Sequence, residues 1–300
     1  MLKVGVVCHD EGGSQLVSNW VLGTNKYDYV YSLAGPAVKI FRENLSVENI
    51  LELGQLVNHC DLLICGTSWE SDLEKSAIKS FKDNGKKTVA ILDHWVNYKE
   101  RFQYQNNQVL PDEIWVADDY AQDIASAIFM DTPIKNIGNP YFSKIKDELS
   151  ISSAIEESER TALYVCEPIK EHALRQEGNE RFWGYTEEDA LNYFLDNLSN
   201  IPIDIREIII RPHPSEPLNK YNWALDRKDL NIKIGGKESL VREILTSTCV
   251  IGCESMAMVI GLLAEKTVLS SIPPNGRECV LPHKEIIPIK SLVQQVESGV

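Results

Sequence analysis

Short β-branched runs alternate with longer amphipathic stretches along this chain, and no other feature constrains its fold as strongly. Residues 3–8, 27–32, 61–66, 88–93 and 113–117 read as buried strands. Between them, 13–22, 47–58, 71–84 and 120–129 carry apolar residues at helical spacing. Strands that are apolar along nearly their whole length belong in a parallel sheet covered on both faces by its crossover helices. Residues 135–138 add one more short strand, and Asn139-Pro140 then reads as a break. Residues 143–160 are polar and acidic, a linker plus a surface helix. The alternation restarts after them. Strands are expected at 161–166, 207–210, 232–234, 249–252 and 267–270, and helices at 187–198, 239–246 and 255–264. The expected architecture is α/β, with two Rossmann-like doubly wound domains, 1–142 and 143–300, facing across a cleft. In such sheets ligands sit beyond the carboxyl ends of the strands.

Charge narrows the partners. The formal net charge is −14; up to residue 140 there are 12 basic and 19 acidic side chains, after it 18 and 25, so each part carries −7. Neither half suits a nucleic-acid backbone, and an anionic ligand would need a local site of backbone amides and a few cations. A mean hydropathy of −0.20 and the absence of an apolar run of about 18 residues argue against a membrane span. The opening MLKVGVVCHD reads as a first strand rather than a signal peptide, so a cytoplasmic location is expected. The seven cysteines form no CxxC pair, and six lie in or beside apolar runs, as small hydrophobes do in a reducing compartment. Cys249 and Cys253, four apart, lack the partners of a zinc set, and no metal or other cofactor is expected.

The strand ends hold the candidate chemistry. His9-Asp10-Glu11-Gly12-Gly13-Ser14 follows the first strand: two glycines for a close ligand approach, and more titratable groups than a helix cap needs. A general base is expected here, with Glu11 favoured and Asp10 beside it. The third strand ends in Gly66-Thr67-Ser68-Trp69-Glu70, small polar residues that line a cleft or cap a helix. The fourth ends in Asp93-His94-Trp95, with Asp93 as second candidate base, His94 as an orienting or acceptor-binding group and Trp95 as a platform for a sugar face or a plug under a loop. Gly12, Gly13, Thr67 and Trp95 together make the expected acceptor side. Asp118-Asp119 reads as a helix cap rather than a metal pair.

In the second half, Arg211-Pro212-His213-Pro214 leaves its strand with two prolines that fix the backbone. Arg211 offers a fork to phosphate oxygens, and His213 a donor to a leaving phosphate. Lys233-Ile234-Gly235-Gly236 ends another strand in glycines that leave room for a base or ribose. Cys249 to Met258 runs from a strand through Gly252 into a helix opening at Glu254-Ser255, where free backbone N–H groups and the serine hydroxyl suit a phosphate.

IIIRPHPSEP, followed some forty residues later by VIGCESMAMVIGLLAEKTVL, resembles the C-terminal half of GT-B nucleotide-sugar glycosyltransferases. The resemblance is to the bacterial capsule, sialic-acid and Kdo transferases that carry an HP motif and a following serine motif, and it covers about residues 160–272. Ile137 to Phe142, IGNPYF, is similar to the hinge entry joining the two domains of that group. The resemblance implies that His213 and Pro214 contact the donor phosphate and that Ser255 is the serine-motif residue, with Glu254 where the group has a first serine. It implies a metal-independent transfer of sugar from a CMP-, UDP- or GDP-activated donor to a bacterial glycan or glycolipid acceptor, in the cytoplasm or at the inner membrane face. A nucleotide-sugar 2-epimerase or hydrolase shares the architecture. A non-catalytic binding domain, favoured by the short C-terminal end, is the third reading.

Overall fold

The computed structural model describes residues 1–68, 71–151 and 160–298. Trp69, Glu70 and most of the expected acidic linker lie outside the described residues. The chain divides into two compact units, Met1–Lys144 and Ile145–Val300.

The N-terminal unit runs β1 (Lys3–Cys8), α1 (Glu11–Leu22), β2 (Asp28–Leu33), α2 (Ala37–Leu45), α3 (Leu53–His59), β3 (Leu62–Cys65), α4 (Leu73–Asp83) and β4 (Lys87–Leu92). A hairpin of β5 (Gln103–Tyr104) and β6 (Asn107–Gln108) follows, then β7 (Glu113–Val116), α5 (Asp119–Ile128), β8 (Ile134–Asn136) and α6 (Pro140–Ile151), which crosses the unit boundary. Six parallel strands form one sheet in the order β2-β1-β3-β4-β7-β8. Five successive residues of β1, and likewise of β4, are buried, as strands covered on both faces require. Val4, Val6, Leu16, Val17, Phe41, Ile64 and Ile91 are among the core side chains that join sheet to helices.

The C-terminal unit repeats the plan. It holds β9 (Thr161–Val165), α7 (Ile169–Glu177), α8 (Glu187–Asp196), β10 (Glu207–Arg211), β11 (Ile232–Ile234), α9 (Leu240–Leu245), β12 (Cys249–Gly252), α10 (Met256–Leu263), β13 (Thr267–Ser270), β14 (Ile287–Pro288) and α11 (Ile289–Ser298). Its parallel sheet has the order β11-β10-β9-β12-β13-β14. In both sheets the first strand lies inside, and the chain builds outward first on one side and then on the other. The direction reverses between β1 and β3 and again between β9 and β12. Those two switch points are where an open α/β sheet offers a crevice.

Four local expectations are corrected. The helix expected over 47–58 begins only at Leu53: Ser46 turns left-handed at φ 53° and ends α2, a helix the sequence reading lacked, Leu51 N–H donates to the Tyr31 carbonyl beside β2, and a Glu52/Gln55 capping box starts α3. Asn139-Pro140 starts a helix instead of breaking the pattern. Proline is tolerated at the first helical position, and the Asn139 side chain accepts from Phe142 N–H at 2.9 Å. Helix α7, absent from the sequence reading, stops at Gly178 with φ 70°. The β5–β6 hairpin was too short for periodicity to show; Gln105 and Asn106, at φ 47° and 63°, make its two-residue turn. Six cysteines are buried, and Cys279 is partly so. No helix among the described residues is long and apolar enough to cross a membrane.

Candidate functional site

In the N-terminal unit the ends of β1, β3 and β4 come together. Asp10 precedes α1 in an extended conformation, and its side chain makes no capping bond. It accepts instead from His9 Nδ1 at 2.7 Å. A carboxylate at Nδ1 fixes that proton and leaves Nε2 as the basic nitrogen. A Cβ on Gly35, at φ +56°, would lie 2.7 Å from His9 Nε2, so only glycine leaves that nitrogen its place. Glu11 is exposed in the first turn of α1. Gly12 faces Asp93: a Cβ there would overlap Asp93 Oδ2. Gly13 packs on the backbone of Gly66 and Thr67. Asp10, Gly12, Thr67 and Asp93 are therefore neighbours.

Arg101 holds this cluster from within. Its Nη1 donates to Asp93 Oδ1 at 2.6 Å and to Thr67 Oγ1 at 2.9 Å, while Nε reaches the Val96 carbonyl at 3.2 Å. Both charged side chains are nearly closed to solvent. Trp95 corrects the platform expectation. It is only 6% exposed, and its indole N–H donates to the Asp118 carboxylate, which also caps α5 through Ala121 N–H. It is the plug. His94 packs against it edge-on, its Nδ1 enclosed without a partner, and burial lowers its pKa to about 4. Beneath the cluster Glu74 accepts from His9 N–H at 2.7 Å. Its other oxygen is enclosed and unpartnered, and burial raises the carboxyl to about 7.

In the C-terminal unit the expected residues follow β10, β11 and β12. Arg211 donates to Glu243 at 2.6 Å and to the Glu238 carbonyl at 3.0 Å, so its guanidinium is turned onto α9. Glu243 also accepts from Gly236 N–H at 2.7 Å, and a Cβ on Gly235 would press on Ile209 and on that same carboxylate. The glycine pair thus makes room for a buried ion pair. Pro214 is exposed. His213 Nδ1 lies 2.7 Å from Ser215 Oγ and accepts from Ser215 N–H at 3.2 Å, which places a neutral ring's proton on Nε2. Ser255 caps α10, accepting from Ala257 N–H at 3.2 Å. His213 and Ser255 follow β10 and β12, which flank β9, so their strands are roughly 10 Å apart.

A further group, which the motifs did not reveal, follows the strand between them. Glu167, two residues beyond the end of β9, accepts from Glu254 N–H at 3.0 Å. Desolvation, then the Glu254 charge, holds its carboxyl well above the usual range. Glu254 pairs with Arg277, whose guanidinium lies over the Trp183 ring at 3.8 Å. Glu167 obeys the strand-end rule and was legible; Arg277 lies in a loop with no local pattern to mark it. Among the described residues no group of three or more His, Cys, Asp or Glu side chains is arranged to hold a metal ion.

No protein-family profile and no curated protein sequence matches this chain. Solved structures do. The UDP-GlcNAc 2-epimerase of Methanocaldococcus jannaschii is similar over 99% of this chain and 92% of its own, with a TM-score of 0.64 at 12% identity. A protein assigned as a UDP-N-acetylglucosamine 2-epimerase in Listeria monocytogenes is similar over 90% of this chain and 78% of its own, with a TM-score of 0.59 at 13% identity. At such identities the likeness concerns the fold alone, two successive Rossmann-like domains of the GT-B class.

Proposed function

We propose that the chain is a nucleotide-sugar enzyme, a glycosyltransferase that moves a sugar from an activated donor to a glycan or glycolipid acceptor at a bacterial surface-polysaccharide step. In this reading the C-terminal unit, about 143–300, binds the CMP-, UDP- or GDP-sugar, and the N-terminal unit, about 1–142, binds the acceptor. The observation that carries it is the His9–Asp10 pair at the β1/β3 switch point. An imidazole with its Nδ1 proton held by a carboxylate is suited to take the proton of an acceptor hydroxyl. His213, through Nε2–H, and the N-terminus of α10 would meet the leaving phosphate, with no metal required. The work would be done in the cytoplasm or at the inner membrane face.

A second reading has its own observation. The overlay with the M. jannaschii enzyme spans nearly the whole of both chains, and 2-epimerisation or hydrolysis needs the donor without an acceptor.

The test begins with a thermal-shift panel of CMP, CDP, UDP, GDP and their sugars. A ligand at 100 times its Kd is expected to stabilise by about 2.7 kcal/mol. Product analysis of the stabilising nucleotide sugar, with and without acceptor glycans, then decides. Nucleotide released only with acceptor supports transfer, and a C2 epimer or free sugar from donor alone supports the second reading. No stabilisation by any nucleotide would favour a binding domain. His9→Asn is expected to lower kcat by about 10²–10⁴ with donor affinity unchanged, whereas Glu11→Gln keeps the wild-type rate. The reverse outcome would return the base to Glu11, and Asp93→Asn as the only slow variant would assign it to Asp93.

A further inference from the structure

A cavity of about 360 Å³ opens in the N-terminal unit between the last turn of α4 and the β5–β6 hairpin. That volume is in the range of a small-molecule site. It lies away from the candidate crevice. Lys82 Nζ, on its wall, donates to the Leu110 carbonyl at 2.9 Å and pairs with Asp112 at 3.6 Å. Asp112 in turn accepts from Thr88 N–H at 2.8 Å, at the start of β4. Asp93 stands past the other end of that strand, about 17 Å further on at roughly 3.3 Å per residue. The polar groups of the lining are held in place. Lys79 Nζ pairs with Asp83 at 2.7 Å, so each ammonium is fixed by a partner and keeps at least one N–H to give. Tyr104 Oη accepts from Gln105 Nε2 at 3.2 Å, which leaves the phenol O–H to donate. Asn107 Nδ2 donates to the Gln105 carbonyl at 3.1 Å, which leaves its Oδ1 to accept. The turn that presents these groups is left-handed at both Gln105 and Asn106, φ 47° and 63°, a backbone that disfavours residues with a Cβ.

We propose that this cavity is a second binding site, which takes one sugar residue bearing a carboxylate or a phosphate. Side-chain amides suit vicinal hydroxyls, because a hydroxyl can donate to the amide oxygen and accept from the amide N–H at once. Gln105, Asn107 and Gln108 bring three amides to the lining, beside one phenol. The Tyr104 ring adds a flat apolar face with a polar tip, which matches the C–H face of a pyranose. Among the described residues only Val109 and Leu110 line the space with wholly aliphatic side chains, too few to hold an apolar ligand. Charge selects the anion. Lys79 and Lys82 share the lining with the single carboxylate of Asp83, a local excess of one positive charge in a half of the chain that carries −7. The inference goes beyond the reading of the crevice. A sugar bound at the start of β4 is out of reach of Asp93, so this site holds a sugar without transforming it.

Glucuronic acid and glucose 6-phosphate are the probes, with glucose and inorganic phosphate as controls for the bare ring and the bare anion. Each is titrated by ligand-observed NMR against the full chain and against Tyr104→Ala, Lys79→Gln, Gln105→Gly and Lys39→Gln. Lys39, exposed beside Glu43 on α2, is the charge control. An acidic sugar is expected to bind the parent and the Lys39→Gln control alike. Lys79→Gln is expected to bind it about tenfold more weakly, a loss of about 1.4 kcal/mol with one charge-assisted bond. Tyr104→Ala is expected to weaken it at least fivefold. Gln105→Gly separates binding from structure: glycine relaxes the left-handed backbone, so the variant is expected to melt no lower than the parent. It is nevertheless expected to bind at least threefold more weakly, because the phenol loses the bond that holds it. Which acidic sugar binds more tightly assigns the anion. No binding of either acidic sugar to the parent overturns the proposal. So does equal affinity for glucose or for inorganic phosphate, or binding indifferent to Tyr104→Ala, Lys79→Gln and Gln105→Gly. If Tyr104→Ala fails to fold, the other two variants decide. No probe is an activated donor, so the two readings fail separately: sugar binding here without nucleotide-sugar turnover overturns only the reading of the crevice, and turnover without sugar binding here overturns only this one.

Discussion

Arg101→Met is expected to destabilise the N-terminal unit by about 3–5 kcal/mol, the usual cost of stranding one member of a buried ion pair. The side chains of Arg101 and Asp93 are 6% and 11% exposed. Removing the guanidinium also leaves Thr67 Oγ1 and the Val96 carbonyl without its bonds. Methionine fills much of the volume, so the loss is electrostatic rather than a cavity. Denaturant unfolding measures it, and the double variant Arg101→Met with Asp93→Asn is expected to recover a large part, because the stranded charge is gone. A single-variant loss below about 1 kcal/mol would show the pair to be solvated. The consequence reaches the site, since Asp93 Oδ2 is fixed against Gly12 at the start of α1.

Glu74 sets a pH dependence of the opposite sign to the usual carboxylate. Burial lifts its carboxyl from the ordinary 4.5 to about 7. The folded chain therefore holds a proton that the unfolded chain has lost between those values, and stability falls as pH rises from about 4.5 to 7. Over some 2.5 units this amounts to about 3 kcal/mol. His94 acts the other way: with its pKa lowered from 6.5 to about 4, it adds stability as pH rises through that window. The two nearly cancel in the parent chain from pH 4.5 to 6.5. Glu74→Gln keeps the oxygen that accepts from His9 N–H and removes the titration. Its unfolding free energy is expected to rise with pH over that range. The difference between parent and variant should shrink in the variant's favour by about 3 kcal/mol between pH 4.5 and 7. A difference independent of pH would mean that Glu74 is ionised throughout.

How much of this was legible in the sequence follows the range of the forces involved. Strand positions were readable because burial on both faces demands near-continuous apolar runs, and β1, β11, β12 and β13 begin and end where those runs do. The doubly wound class followed from their alternation with helical stretches, and the strand-end rule pointed to His9, Asp10, Asp93 and His213. Local chemistry also fixed the caps, as Asp118 and Ser255 show. Short elements escaped. The two-residue strands carry no periodicity, and the nine-residue helices α2 and α7 escaped as well.

Which strand ends become neighbours, and which charges meet, was decided only by tertiary structure. In the sequence Arg211 is marked for phosphate by its strand-end motif, and nothing local marks Arg277. Only the fold places Glu243 against the first, and an indole and an unpaired Nε–H environment around the second. Trp95 became a plug because Asp118, more than twenty residues on, lies beside it across β4 and β7. Glu74 reads as an ordinary acid in a helix's first turn until the sheet buries it under His9. Secondary structure is specified by patterns a few residues long, and the sequence determined it. Pairing, desolvation and proton affinity depend on residues tens of positions apart, and they were settled only when the sheets assembled.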